Sequence, residues 1–465
     1  MKLKVGTKLC YGVGNLGYGT IAQTVGNFIM FFGTSILGLP GTLVGVAVAL
    51  SVFWDGVSDP IIGYYSDRHS SKTFGKRLGF MFVATFGMAI VNILIWVVPT
   101  ESAVWVKFLW LLVGLLSIET FNTLFATPYV ALGIDIAPDY NEQSSVQGYK
   151  TVFFILGMVM PSILMFIFMP HGSGEQGQFS QAAYINIAYF TSALCLVAGL
   201  ICIFGTIKIV QKTYKPERKK KKEKNIFFKI FYMFFKALKK ENYGSLIIGY
   251  SIALISAAFL TSVGMHLFTY SYHFGSGQIS LLMSVLFVSA ILSQPFWIFL
   301  SNRIDKKPAL KTSLLIILVG IAFTATTFVL RDVIAQNILI YIVLPCIAVC
   351  GFGTGALYSL PISMYADVIT LDKLETGENN TAIYSGFMTL AFNIANCLAL
   401  LIIGILLDLI KFDAKQPVQA LSVQNWLGVI VFVGCSLSIL VAMIVFSKYN
   451  LKRADVLKAK IKNGD

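Results

Sequence analysis

The chain has 465 residues, of which 56% are hydrophobic, 14% aromatic and 12% charged, with a formal net charge of +14. A soluble domain carries about 25% charged residues, so this composition excludes an ordinary soluble fold. The apolar content excludes disorder, the 7 Cys are too sparse for a disulfide scaffold, and a polytopic membrane protein remains.

Long stretches lack any Asp, Glu, Lys or Arg, among them 9–54, 78–100, 242–302 and 416–447. A bilayer crossing needs about 20 apolar residues. Nothing shows the ten-residue alternation of a transmembrane barrel, so the spans are helices. In chain order they are expected near 9–33, 43–64, 78–98, 104–132, 149–169, 184–207, 245–268, 279–300, 310–330, 337–365, 382–409 and 424–447. Twelve crossings put both termini on one side. Of the 36 Lys and Arg, 32 fall on that side. The other side holds Lys107, Arg331, Lys411 and Lys415. This bias predicts cytoplasmic termini. The first segment shows no cleavable signal.

Between helices 6 and 7 lies a basic linker over 208–241. It contains Arg218-Lys219-Lys220-Lys221-Lys222, then Ile226-Phe227-Phe228 and Ile230-Phe231 alternating with lysines. Beside a membrane span, this composition predicts contact with anionic lipid and an amphipathic surface helix, not nucleic-acid binding. The chain thus divides into a six-helix bundle over 1–207, the linker, a second bundle over 242–447 and a basic cytoplasmic tail over 448–465. The expected fold is an all-α membrane protein with two pseudo-symmetric six-helix bundles.

An internal duplication is visible. Asp59-Pro60 and Ser66-Asp67-Arg68 recur 235 residues later as Gln294-Pro295 and Ser301-Asn302-Arg303. The same offset pairs Asp55 with Ala290. Helix 2 therefore carries two carboxylates and its repeat partner none.

Asp55 and Asp59 share one helix face, where like charges repel and cost energy in the bilayer. A cation between them, a shared proton or water relieves that cost. Hard oxygen ligands suit Na⁺ or Li⁺, and carboxylates suit H⁺. Glu119, with Asn122 and Thr123 one turn on, is a further acid inside a span and a candidate substrate contact. The run Gly12-Val13-Gly14-Asn15-Leu16-Gly17 matches G-x-G-x-x-G, but inside a membrane helix it predicts close packing and not dinucleotide binding. The chain offers no nucleophile–base pairing, which argues against an enzyme.

Gly63-x-x-x-Asp67-Arg68 with Gly75-Lys76-Arg77 resembles the helix 2–3 loop of the major facilitator superfamily. Tyr11-Gly12-x-Gly14-Asn15 and Trp54-Asp55-x-x-Ser58-Asp59-Pro60-x-x-Gly63 are similar to the glycoside–pentoside–hexuronide:cation symporters. Tyr365-Ala366-Asp367-Val368-Ile369 with Thr376-Gly377 resembles that family's helix 10–11 loop. The resemblance implies alternating access and symport of a sugar derivative with Na⁺, Li⁺ or H⁺, with no other cofactor. It implies that Asp55, Asp59, Ser58 and Thr123 bind the cation, and that Asp67, Arg68, Lys76 and Arg77 form a gating network. The sugar-binding residues of the family's melibiose carriers fall here at Tyr18, Gly19, Ala126, Val130, Thr151 and Glu375, so the galactoside half of the site is not retained. Substrate contacts are instead expected from Tyr18, Glu119, Tyr129, Tyr149 and Lys150. Vertebrate lysophospholipid symporters share the helix 2 acids, so a lysophospholipid or other amphiphile is the alternative cargo. The Gly-rich first helix and the length favour the sugar branch. The protein is expected to act as a monomer in the cytoplasmic membrane of a microbe.

Overall fold

The structure, a computed structural model, describes every residue except 1–2, 70, 72, 138–139, 170–176, 214–237, 377–380, 414–415, 417, 452–454 and 456–465. The basic run and amphipathic segment of the linker lie almost wholly outside the described residues, as does most of the tail. The described chain is helical, with no strand pairing beyond one isolated bridge between Ser71 and Gly75.

The first half contains α1 (Val5–Phe31), α2 (Gly41–Arg68), α3 (Leu78–Trp96), α4 (Val104–Ile136), α5 (Tyr140–Phe168) and α6 (Gln181–Thr213). The second contains α7 (Glu241–His266), α8 (Ser276–Leu292), α9 (Gln294–Ile304), α10 (Lys306–Val329), α11 (Gln336–Thr376), α12 (Thr381–Leu409) and α13 (Leu421–Ser447). Among the described residues ten helices are each long and apolar enough to cross a bilayer, and α8 with α9, bent by 40°, makes an eleventh. The expected count of twelve adds α1, which is not among them. Glycines and Asn15, Gln23 and Asn27 dilute its hydropathy, and it packs against α5 and α6, which reduces the lipid it must face.

Several boundaries differ from the sequence reading. Pro60 lies inside α2, which continues to Arg68, so Asp67 and Arg68 are helical and not in the loop. α5 begins at Tyr140, earlier than expected, and Glu142 in its first turn pairs with Lys8 at 2.8 Å. α11 runs on to Thr376, so the segment from Tyr365 to Thr376 is helix and not loop. Its extension is anchored by Lys306 to Asp367 at 2.5 Å and by Lys240 to Asp372. The expected single helix over 279–300 is broken at Ser293, because Pro295 occupies the first turn of α9 and cannot continue the ladder of α8.

The chain forms two compact units. The first comprises Met1–Lys222, Gly275–Ser280 and Leu401–Val418, and the second comprises Glu223–Phe274, Leu281–Leu400 and Gln419–Asp465. Within the first, α1 packs on α6 and α5, α3 on α4 and α6, and α2 on α4. The second repeats this plan, with α7 on α13 and α10 on both α11 and α13. The duplication extends to the backbone. α1 ends in a five-residue π-helix, Phe32–Ile36, and α7 ends in another, Leu267–Ser271, again 235 residues on. The Arg77–Asp135 ion pair at 3.1 Å joins the start of α3 to the end of α4, as Lys306–Asp367 joins α10 to α11.

The α1 glycines are packing sites. A Cβ on Gly14 would lie 2.9 Å from the Cys202 sulfur, and one on Gly17 would lie 2.9 Å from Ala198. The helices therefore touch along their backbones.

Candidate functional site: a carboxylate and threonine ladder

α2 and α4 run side by side, and two rungs join them. Thr123 Oγ1 donates to Asp55 Oδ1 at 2.8 Å, and Thr127 Oγ1 donates to Asp59 Oδ1 at 2.9 Å. Both pairs are 68 residues apart in sequence, because acids four apart on one helix face threonines four apart on the other. Ser58 Oγ lies 3.0 Å from Thr123 Oγ1 and 3.2 Å from the Asp55 carbonyl, and its proton can serve either. Above the rungs Trp54 Nε1 donates to Thr120 Oγ1 at 2.8 Å.

Asp55 and Asp59 are half-buried, while Ser58 and Thr123 are buried. A hydroxyl bond uses only part of a carboxylate's acceptor capacity. Pro60 lacks an N–H, which leaves the Gly56 carbonyl without its helical partner between the two acids. The arrangement gathers two anions, hydroxyl oxygens and a backbone carbonyl, which are the donors a hard monovalent cation takes. A Na⁺ ion there would bind to Asp55 and Asp59, with Ser58 and Thr123 as neutral oxygens.

Of the expected substrate residues, Tyr18 and Glu119 lie beside this ladder. Tyr18 of α1 lies within electrostatic reach of Asp55, Glu119 and Asp59. Glu119 likewise senses Asp55 and accepts from Asn122 Nδ2 at 3.2 Å. The Tyr18 ring stacks on Phe125 at 6.1 Å, and Phe125 stacks on Tyr129 at 5.5 Å. Lys150 Nζ sits 5.6 Å from the centre of the Tyr129 ring. Tyr129 itself belongs to the core. It is fully buried, its hydroxyl donates to the Tyr11 carbonyl at 2.9 Å, and Tyr11 returns the bond at 3.1 Å. Tyr149 is half-buried and its backbone abuts Gly12.

At the positions expected to form a gating network, Arg77 bonds Asp135 and also reaches Ser66 Oγ at 3.2 Å. Arg68 is exposed and Lys76 half-buried. The Asp67 side chain lies outside the described structure. Two site residues escaped the sequence reading. Thr127 was legible as the second member of a Thr–x–x–x–Thr spacing matching Asp–x–x–x–Asp. Phe125 carried no signal in a chain with 37 Phe.

The sequence profile described as "MFS/sugar transport protein" matches residues 10–453. The chain belongs to that family. The sodium-dependent lysophosphatidylcholine symporter 1 of Gallus gallus is 25% identical over 98% of this chain and 89% of its own. The sphingosine-1-phosphate transporter MFSD2B of Xenopus tropicalis is 23% identical over 96% of this chain and 88% of its own. The crystal structure of the nucleoside transporter NupG superposes with a TM-score of 0.64 at 14% identity, covering 97% of this chain and 100% of that one, which shows the fold alone. Family, fold and relatives agree. The chain is a multi-pass membrane transporter of the major facilitator fold and not an enzyme.

Proposed function

We propose that the protein is a Na⁺-coupled symporter of a lysophospholipid or related single-chain amphiphile. The observation that carries the coupling is the ladder of Asp55 and Asp59 on Thr123 and Thr127. The names of the relatives support the amphiphile over the sugar derivative that the Gly-rich first helix and length favoured, and they support Na⁺ as the coupling ion.

The residues agree with that choice. A sugar is held through hydroxyls that donate to carboxylates, and Gly19 and Ala126 supply none. What α1, α4 and α5 offer is the half-buried Tyr18, backed by the buried rings of Phe125 and Tyr129, with Lys150 at one end of the stack and Glu119 near the other. A cation and an anion flanking aromatic surface suit a zwitterionic or phosphate-bearing head. Within the second unit a cavity is lined mainly by apolar side chains, among them Leu254, Leu286, Phe287, Ile317 and Phe432, with Tyr358 and several hydroxyls at its wall. Such a lining accepts an alkyl chain.

Uptake by reconstituted vesicles decides the matter. Radiolabelled lysophosphatidylcholine should accumulate when a Na⁺ gradient is imposed, and melibiose should neither accumulate nor compete. Na⁺-driven melibiose accumulation without lysophosphatidylcholine uptake would overturn the reading.

A further inference from the structure

The first amides of a helix have no partner in the helix. At the start of α2 the Leu43 and Val44 amides fold back onto the Pro40 carbonyl, at 3.0 and 3.2 Å. Pro40 offers no side-chain cap, so the Gly41 and Thr42 amides need an acceptor from elsewhere. Both find the same carboxylate. Gly41 N donates to Asp408 Oδ1 at 2.6 Å and Thr42 N donates to Asp408 Oδ2 at 2.7 Å. Asp408 lies 367 residues away from Gly41, in the last turn of α12.

The contact is internal to the first unit, yet α12 is shared. Its residues up to Leu400 cluster with the second unit, and Leu401–Val418 cluster with the first. Backbone contact reinforces the charge. A Cβ on Gly404 would stand 2.4 Å from the Gly41 carbonyl oxygen, and one on Gly41 would stand 2.7 Å from that of Gly404 and 2.8 Å from Leu407 Cβ. Only glycines let the two backbones come this close. The repeat partner of Gly41 is Ser276, the first residue of α8, and Gly275–Ser280 also cluster with the first unit. There Ser280 Oγ donates to the Ser162 carbonyl at 2.5 Å. The carboxylate of Asp408 caps the helix that bears the cation ladder.

We propose that Asp408 is a latch. Its carboxylate caps the positive end of α2 and holds the last turn of α12 on the first unit, and the transport cycle requires it to let go. The positive-inside reading places this latch on the face away from the chain termini. The idea stands apart from cargo identity, since neither Asp408 nor Gly404 belongs to the cation ladder or the aromatic stack.

The test is modification of a Leu407→Cys reporter by a membrane-impermeant maleimide, in the full chain in nanodiscs. Leu407 is fully buried beside Gly41. The parent chain with its 7 native Cys sets the background. Asp408→Asn keeps one acceptor oxygen and loses about one charge-assisted bond, which shifts such an equilibrium on the order of tenfold. Asp408→Asn should therefore raise the labelling rate about tenfold. Gly404→Ala, which keeps the carboxylate but forces the backbones apart, should raise it in the same direction and remains decisive if Asp408→Asn fails to fold. A Leu314→Cys control, fully buried in α10 of the second unit and outside the cavity, should stay unreactive in both, which separates release from unfolding. Parent-rate labelling of Leu407→Cys in a folded Asp408→Asn or Gly404→Ala variant would overturn the latch. So would equal gains at Leu314→Cys.

Discussion

Thr127→Val is the most informative single change to the ladder. Valine matches threonine in shape but cannot donate to Asp59 Oδ1, which now receives a bond at 2.9 Å. A hydrogen bond to a charged group contributes about 1.5–3 kcal/mol. Asp59 is half-buried and water competes for it, so the low end applies, and Na⁺ affinity should fall about tenfold. The hydroxyl fixes the carboxylate where the ion needs it, and holding a ligand oxygen in advance removes an ordering cost from binding. Thermal stabilisation by Na⁺ measures this without a substrate. At a Na⁺ concentration about 100 times the parent Kd the ion adds about 2.7 kcal/mol, and a tenfold weaker site adds about 1.4. The Na⁺-dependent shift in Tm should therefore halve in Thr127→Val while the Na⁺-free Tm moves little. A full-sized shift, with half-saturation within twofold of the parent, would show that Thr127 plays no part in the site.

Asp55→Asn or Asp59→Asn should abolish Na⁺-stimulated uptake, measured as the ratio of uptake with and without the gradient, since each removes half of the anionic ligand set. Lys150→Gln should weaken competition by phosphate-bearing amphiphiles about tenfold and leave Na⁺ binding intact, as read by ligand-induced and Na⁺-induced Tm shifts. Reporter fusions at the C-terminus and at Glu101 should fall on opposite sides of the membrane, and agreement between them would invalidate the positive-inside assignment.

Charge contrast explains what the sequence revealed. Asp55, Asp59 and Glu119 stand out because acids in apolar runs are rare and costly. The spans stand out because helices in lipid must be apolar. Helix ends were less legible, because the apolar signal stops at the membrane surface while the helix does not. α5 extends to Tyr140 through Glu142 and Lys8, and α11 extends to Thr376 through Asp367 and Asp372. Those extensions are held by ion pairs between residues far apart in sequence, which no local pattern announces. Asp408 was legible as an acid near a helix end but not as a cap, because its partners are backbone amides and any residue supplies those. The break at Ser293 followed from Pro295, whereas Pro60 at the equivalent position bends no helix to breaking. Proline marks both sites and packing decides between them.

The two repeats hold one helix pair in two ways, and the difference bears on the proposed cation site. In the second unit Gln294, the partner of Asp59, donates through Nε2 to the Gly355 carbonyl at 2.8 Å. Ser289, the partner of Trp54, donates to the Ala348 carbonyl at 2.7 Å. Both bonds are neutral and end on backbone. On α11 the residues packed against this face of α8 are Gly351 and Gly355, and neither has space for a side chain. A Cβ on Gly351 would lie 2.3 Å from the Leu286 carbonyl oxygen, and one on Gly355 would lie 2.0 Å from Ser293 Oγ. α8 and α11 therefore touch along their backbones, while α2 and α4 stand far enough apart for hydroxyls to sit between them. Acids alone should not rebuild the site. Ala290→Asp with Gln294→Asp, placed in an Asp59→Asn background, should lower thermal stability, because two anions would enter a close-packed seam without donors. No Na⁺-dependent gain in Tm should return. Recovery of a Na⁺-induced shift in that triple variant would show that acid spacing is sufficient and that the threonine rungs are incidental.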